Sequence, residues 1–431
     1  MRELLKTALF CAVAVLLAAL AMTFDPERST PEIFTDQGEL FYPAFTDPQA
    51  PKIIEVIDYD ESTATARPLK VEFKNRRWTL PSHYGYPADA ETRLASTAAA
   101  LMELKKDMIV SDRTEDQAKF GVIDPLDQNA TSLTGRGQRV TLRDGNGTLL
   151  ADFVIGKKAP DKAGYRYMRV PGSRRTYLVR TDAEVSSRFE DWIETDLLRI
   201  DASQLRKITV NSYSINETFG VLENVESVVL VKDGNRWALS GGGAPRKARV
   251  DELVNALDNL RIVDVQPKPR GLSQDLKTPE GIRLSPESMI SLRQKGFFLT
   301  PFGQLLSNEG ELLVETANGL QYTLRFGEVA SGGLATSTSP SESSTPPADS
   351  TPEKEAKDQK EDKSDSDISL TERRYLFVTV SYSEERAQKY GGGTGRSLER
   401  ELRNRFADWY YIISGVDFSK LRPRKRDLAG G

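Results

Sequence analysis

Short motifs that recur in the same order constrain this chain more than any other feature. Arg77-Trp78-Thr79-Leu80 returns as Arg236-Trp237-Ala238-Leu239, and Arg188-Phe189-Glu190-Asp191-Trp192 returns as Arg405-Phe406-Ala407-Asp408-Trp409. After the second pair, Asp201 to Arg206 and Asp417 to Arg422 share Asp, Ser, Leu and Arg at matching steps. Motifs that return in order predict a duplicated unit. The four tryptophans then form two pairs of equivalents, expected as core side chains.

The stretches between these landmarks read alike. In the first half, Ile53 to Val56 opens a strand, and Lys70–Phe73 with Trp78–Leu80 makes a hairpin. Ala88 to Met108 carries a helical period through Leu94, Ala98 and Leu101. Val140 and Leu142 alternate with polar residues, Asp144-Gly145-Asn146-Gly147 turns the chain, and Leu149 to Ile155 returns. Tyr165–Val170 and Thr176–Val179 form a further hairpin, and Ala183 to Trp192 closes the half as a helix. In the second half, Lys207–Val210, Val228–Val231 and Arg236–Leu239 are strands, and Val250, Leu253, Val254, Leu257 and Leu260 share one helical face. Glu311–Glu315, Gln321–Phe326 and Arg374–Tyr382 are further strands, with Ser397–Tyr410 as the closing helix. The expected class is α+β: two tandem repeats, each a curled antiparallel β-sheet covered by one helix. The first unit spans residues 52–203 and the second 204–431.

Leu4 to Phe24 is apolar except for Lys6, Thr7 and Thr23. These 21 residues span about 31 Å as a helix, close to a ~30 Å hydrocarbon core. Arg2 and Lys6 precede the run, and Asp25 and Glu27 follow it. Residues 1–24 are expected to be a transmembrane anchor with a cytoplasmic N-terminus and the bulk of the chain extracytoplasmic. Ala19-Leu20-Ala21 offers the competing reading, a cleaved signal peptide. Residues 25–51 hold five prolines and read as an extended stalk.

Residues 331–367 interrupt the second unit. They are rich in Ser, Pro, Glu and Lys, hold nine acidic residues and four lysines, and have no aromatic. Such a segment buries too little apolar surface to offset its ordering entropy and is expected to be disordered. It carries the chain's acidity: the whole chain is at −4, and the remainder without it at +1. Nucleic acid is not an expected partner.

One Cys and one His exclude a disulfide framework and a Cys/His zinc site. His83 lies in a loop, and no Gly-x-Ser-x-Gly elbow supplies a serine for it, so a local hydrogen bond is expected. Tyr390 to Ser397 superficially resembles a phosphate loop but lacks its first Gly and its Lys. Gly135-Arg136-Gly137 reads as a turn. Asp191 and Asp408 recur beside their tryptophans, where capping or an arginine pair suffices to explain them. Lys420, Arg422, Arg424, Lys425 and Arg426 form a basic tail, read as a solvated end that could meet anionic headgroups. No catalytic, cofactor-binding or metal-binding residue is expected.

The order of these parts resembles a bacterial family catalogued as a domain of unknown function (DUF4340). The matching features are Arg77-Trp78 with Pro87-Ala88-Asp89, Phe120 to Pro125, Val140 to Asp144, Ile155-Gly156 and Tyr177-Leu178-Val179. They cover roughly residues 50–200. The resemblance implies a single N-terminal membrane helix followed by β-rich repeats, with no known activity. It also implies association with ABC-type transport components like those of gliding motility.

The functional expectation is a non-enzymatic, membrane-anchored extracytoplasmic scaffold with exposed strands suited to β-augmentation. A protein partner, transporter subunits among the candidates, follows from it. The alternative is a module binding an envelope polymer or small ligand in a cleft between units. A carboxylate-dependent hydrolase is the second alternative.

Overall fold

The computed structural model describes residues 36–216, 221–234, 236–269, 272, 284–300, 305–330 and 372–429. The expected anchor 1–24, the start of the stalk and the insertion 331–367 lie outside the described residues. Among the described residues, no helix is long and apolar enough to cross a membrane.

The fold is mixed α and β, dominated by open antiparallel sheets with few helices. The first sheet is built from β1 (Ile53–Asp60), β2 (Thr65–Lys74), β3 (Arg77–Leu80), β4 (Tyr86–Pro87), β5 (Met108–Ser111), β6 (Gln138–Arg143), β7 (Leu149–Lys158), β8 (Tyr165–Arg169) and β9 (Thr176–Arg180). Its spatial order is β4-β3-β2-β1-β6-β7-β8-β9-β5. The second sheet uses β10 (Leu205–Asn216), β11 (Val221–Asp233), β12 (Arg236–Leu239) and β13 (Asp264–Pro267). A two-stranded hairpin of β14 (Phe297–Leu299) and β15 (Leu305–Ser307) follows in the chain. The second sheet then resumes with β16 (Glu311–Thr316), β17 (Leu320–Val329), β18 (Arg373–Tyr382) and β19 (Trp409–Ser414). Its order is β12-β11-β10-β16-β17-β18-β19-β13.

The helices are α1 (Glu91–Met102), α2 (Gln117–Phe120), α3 (Lys247–Asp258), α4 (Pro286–Gln294), α5 (Glu384–Tyr390), α6 (Arg396–Phe406), α7 (Gly415–Leu421) and α8 (Lys425–Leu428). Leu94, Ala98 and Leu101 of α1 and Val250, Leu253 and Leu257 of α3 are buried at helical spacing. They join the inward residues of both sheets in one continuous core. A smaller apolar cluster joins Leu292 and Phe297 to Phe377 and Tyr410 of the second sheet.

Five local expectations are corrected. The first helix stops at Met102 rather than Met108. The next residues instead meet the preceding segment, where Leu104 O and Lys106 O accept from Phe41 N and Gly38 N. Residues 36–51, expected within a stalk, therefore pack on the fold, with Phe41 and Phe45 in the core. Ala183 to Trp192 is not a helix except for one tight turn at Phe189–Trp192. Side chains occupy its backbone carbonyls: Gln138 donates to Val185 O, and Trp192 Nε1 donates to Ser186 O. The closing helix ends at Phe406, because Trp409–Ile413 is aromatic and β-branched and pairs with both β13 and β18. The basic tail is no frayed end: Phe418, Leu421 and Leu428 are buried, and Pro245 bridges Ala429.

The two Arg-Phe-x-Asp-Trp motifs also stand at different steps. Trp192 follows the last strand of the first sheet and is fully buried. Trp409 opens β19 at half exposure.

Candidate functional site

Where the two sheets meet, the loop after β3 and the N-terminal side of α1 face α6 and the start of β19. The space between them is a cleft of about 670 Å³. Its aromatic groups are Tyr84, 49% exposed, and Trp409, whose indole meets Tyr86 edge-on at 5.1 Å. Arg77, Asp89, Asn404 and Asp408 supply exposed polar groups. Other charges are already committed to holding the cleft together. Arg199 pairs with Glu401 across it. Arg405 Nη2 donates to the carbonyls of Glu194 and Asp196 at 3.0 and 2.7 Å. Backbone bonds from Leu197 N to Leu260 O and from Ile262 N to Thr195 O complete the junction.

His83 sits beside this junction and makes the local bond expected of it, with Ser82 Oγ 3.0 Å from Nδ1. The sequence did not indicate its other neighbours. The ring stacks on Phe189 at 4.5 Å, and Nε2 lies 3.9 Å from Asp264 of β13. Burial pushes His83 below its ordinary value, against the pull of Asp264 and Glu190. Burial likewise raises the Asp264 carboxyl. Ser82, His83 and Asp264 thus stand in a row, but the geometry gives Ser82 a structural task. Its Oγ accepts from Lys70 N at 3.1 Å and lies 3.4 Å from Lys70 O, closing the edge of β2. The 3.9 Å gap to Asp264 is too long for an orienting hydrogen bond.

The two recurring aspartates are not brought together. Asp191 accepts from Ser186 Oγ at 2.5 Å and from Arg188, and these bonds outweigh burial to hold its carboxyl low. Asp408 lines the cleft, and Asp191 lines a different cavity. The glycine loop follows helix α5, where a phosphate loop requires a strand. Gly392 packs so closely that a Cβ there would lie 2.3 Å from Ala317 O. Among the described residues, no three of His, Cys, Asp and Glu cluster as a metal site.

A second candidate is the end of the β10–β11 hairpin. β10 pairs with β16 only as far as Asn211, so Ser212–Asn216 and Val221–Glu226 project as a two-stranded arm. β12 covers β11 only from Leu230 to Asp233. Among the described residues, the outer edge of Val221 to Val228 has no neighbouring strand. Asn224 and Val225 together oppose Tyr213, a bulge with Asn224 at φ +54°. Val221, Leu222 and Val225 are 50%, 42% and 65% exposed. Alternation marks such residues as strand, but their exposure depends on which neighbours the fold withholds.

No curated protein and no solved structure matches this chain. A family model described as Domain of unknown function (DUF4340) matches residues 78–275, from β3 to beyond β13.

Proposed function

We propose that the protein is a membrane-anchored, extracytoplasmic, non-enzymatic interaction protein whose β11 edge takes up an extended segment of a partner polypeptide. The carrying observation is the projecting arm, with an unpaired edge and three exposed apolar side chains. Two-stranded ribbons are marginal alone, and unblocked apolar edges invite another strand. Backbone pairing would supply affinity, and pockets for alternate side chains specificity. The two sheets are read as copies of one unit, supported by the same strand path from β1–β2–β3 and from β10–β11–β12. The anchor is the apolar run 4–24, single-pass in the cytoplasmic membrane with its N-terminus in the cytoplasm. Subunits of an ABC-type transport system are the partner class that the family resemblance suggests.

The test uses the full-length tagged protein, crosslinked in intact cells and purified from detergent-solubilised membranes. Transporter subunits should accompany the wild type and persist at high salt, because backbone and apolar contacts are weakly screened. They should be lost from a Val221→Ser/Leu222→Ser/Val225→Ser variant that remains folded. An unchanged set of partners on that variant would sink the reading.

The cleft supports a second reading, a site for an envelope polymer or small polyhydroxylated ligand. Tyr84 and Trp409 offer ring faces there, and Arg77, Asp89 and Asn404 offer polar groups. Trp409→Ala would then abolish ligand binding while leaving partner capture intact.

A further inference from the structure

The basic C-terminal residues are fixed in place, and they frame a cavity of about 350 Å³ between α3 and the α7–α8 turn. Arg249, Lys420, Arg422, Arg424 and Arg426 line it, against two carboxylates, Glu252 and Asp427. Both carboxylates are engaged locally. Glu252 pairs with Arg249 at 2.7 Å, and Asp427 Oδ2 accepts from the Arg424 backbone N at 3.0 Å. Among the described residues, Lys420 and Arg426 pair with no carboxylate.

A separate observation concerns the floor. Arg422 and Arg374 share one carboxylate, Glu309, at 2.7 and 3.2 Å. Two guanidinium groups on one carboxylate leave a positive charge uncompensated. Arg422 is 24% exposed and its Nε is buried without a partner. Burial, and the neighbouring Arg374, push its guanidinium below the ordinary value. Removing such a donor from water is costly unless something accepts from it.

We propose that this cavity binds a phosphate ester, either a soluble phosphomonoester or the headgroup of an anionic phospholipid. Guanidinium forks match phosphate oxygens geometrically, and an added phosphate anion, singly charged in a diester and close to doubly charged in a monoester, answers the excess of cations. The volume suits a headgroup-sized ligand. The aromatic in the lining, Phe418, is only 1% exposed and has Arg374 over its ring at 4.5 Å, so it offers no open face for a nucleobase to stack on. The site is distinct from the cleft, and its α8 wall reaches β11, where Lys425 N donates to Glu226 Oε2 at 3.1 Å.

The test is titration of the full chain in neutral detergent with two probes, glycerol 1-phosphate and dihexanoylphosphatidylglycerol, with dihexanoylphosphatidylcholine as the zwitterionic control. Arg422→Gln should weaken binding about tenfold or more, as expected for loss of a charge-assisted bond. Arg422 also holds Glu309, so that variant could unfold. Lys420→Gln/Arg426→Gln alters only the rim, and it should also weaken binding with the melting temperature unchanged. Arg67→Gln, on the first sheet, should leave binding as it was. Equal binding of both probes supports a soluble ester, and binding of the phosphatidylglycerol probe alone supports a lipid headgroup. Binding of neither probe, equal binding of the zwitterionic control, or indifference to the Lys420/Arg426 change overturns the proposal.

Discussion

The first hairpin of each sheet projects beyond its neighbouring strand, and the two ends are treated differently. In the first sheet, Asp58–Asp60 and Thr65–Arg67 extend past the pairing with β6. That end is tied down. Asp58 accepts from Gln138 at 2.8 Å and bonds Ser187. Glu61 accepts from Gly135 N at 2.9 Å, and the Arg136 guanidinium lies 4.9 Å over the Tyr59 ring. No large apolar side chain there is exposed. The outer edge of each hairpin end lacks a neighbouring strand among the described residues, but in the second sheet the arm is longer and three apolar residues face solvent. One strand path therefore yields a blunted edge in one place and a receptive edge in another. The difference lies partly in groups outside the hairpins, Gln138, Ser187 and Arg136, and partly in the apolar residues of the second arm itself.

The largest expected effect tests how unequal the two halves are at their tryptophans. Trp192→Ala empties a fully buried site and should cost about 3–5 kcal/mol in chemical denaturation. Trp409→Ala, at the cleft wall, should cost only about 1–2 kcal/mol. Equal losses would restore the equivalence that the motifs suggest.

A second asymmetry is a half-buried lysine beside the second sheet. Lys268 follows β13, donates to Phe406 O at 2.7 Å and lies 4.0 Å over the Phe377 ring. Burial pushes its ammonium down to about 7, against the pull of Asp408. The ordinary value is 10.5, so between these pH values the unfolded chain holds a proton that the folded chain lacks. The contribution of this group is therefore full above pH 10.5 and is lost as pH falls through about 7. Lys268→Met should flatten the rise in stability over that window relative to wild type and should stabilise the protein at pH 7. Identical pH profiles for the two would refute the assignment.

Arg136→Ala should convert the first hairpin end toward the behaviour of the second. Arg136 donates to the carbonyls of Asp124, Asp127 and Ala130 at 3.0, 2.9 and 3.1 Å. The expected cost is about 1–3 kcal/mol, with faster amide exchange at residues 58–67. The smallest effect is expected at the open arm itself: Val225→Lys should change stability by no more than about 0.5 kcal/mol. A larger loss would mean that Val225 is packed.

Much of the fold was legible because its signals are local. The Asp144–Gly147 turn and its flanking strands formed as read, with Gly147 at φ +87°. The hairpins at Trp78 and Trp237 and the apolar faces of α1 and α3 were legible by the same reasoning. What failed depended on distant partners. The length of α1 was set by residues 38–41, and the fate of Trp409 and Tyr410 was set by pairing with β13. The site was less legible than the fold. His83 gave no hint of Asp264, and an alternating strand does not reveal whether its outer edge will be covered. The five basic tail residues were visible in sequence, but the cavity that four of them, Lys420, Arg422, Arg424 and Arg426, share with Arg249 required Phe418, Leu421 and Leu428 to dock.

The central claim, that β11 is the receptive edge and β1–β2 is not, is tested most directly by amide hydrogen exchange on the full-length protein. The protein would be measured alone and within the complex purified from membranes. The account predicts strong added protection across Val221–Val228 in the complex, with residues 58–67 unchanged. Protection confined to the Tyr84–Trp409 cleft, or equal in both arms, would contradict it.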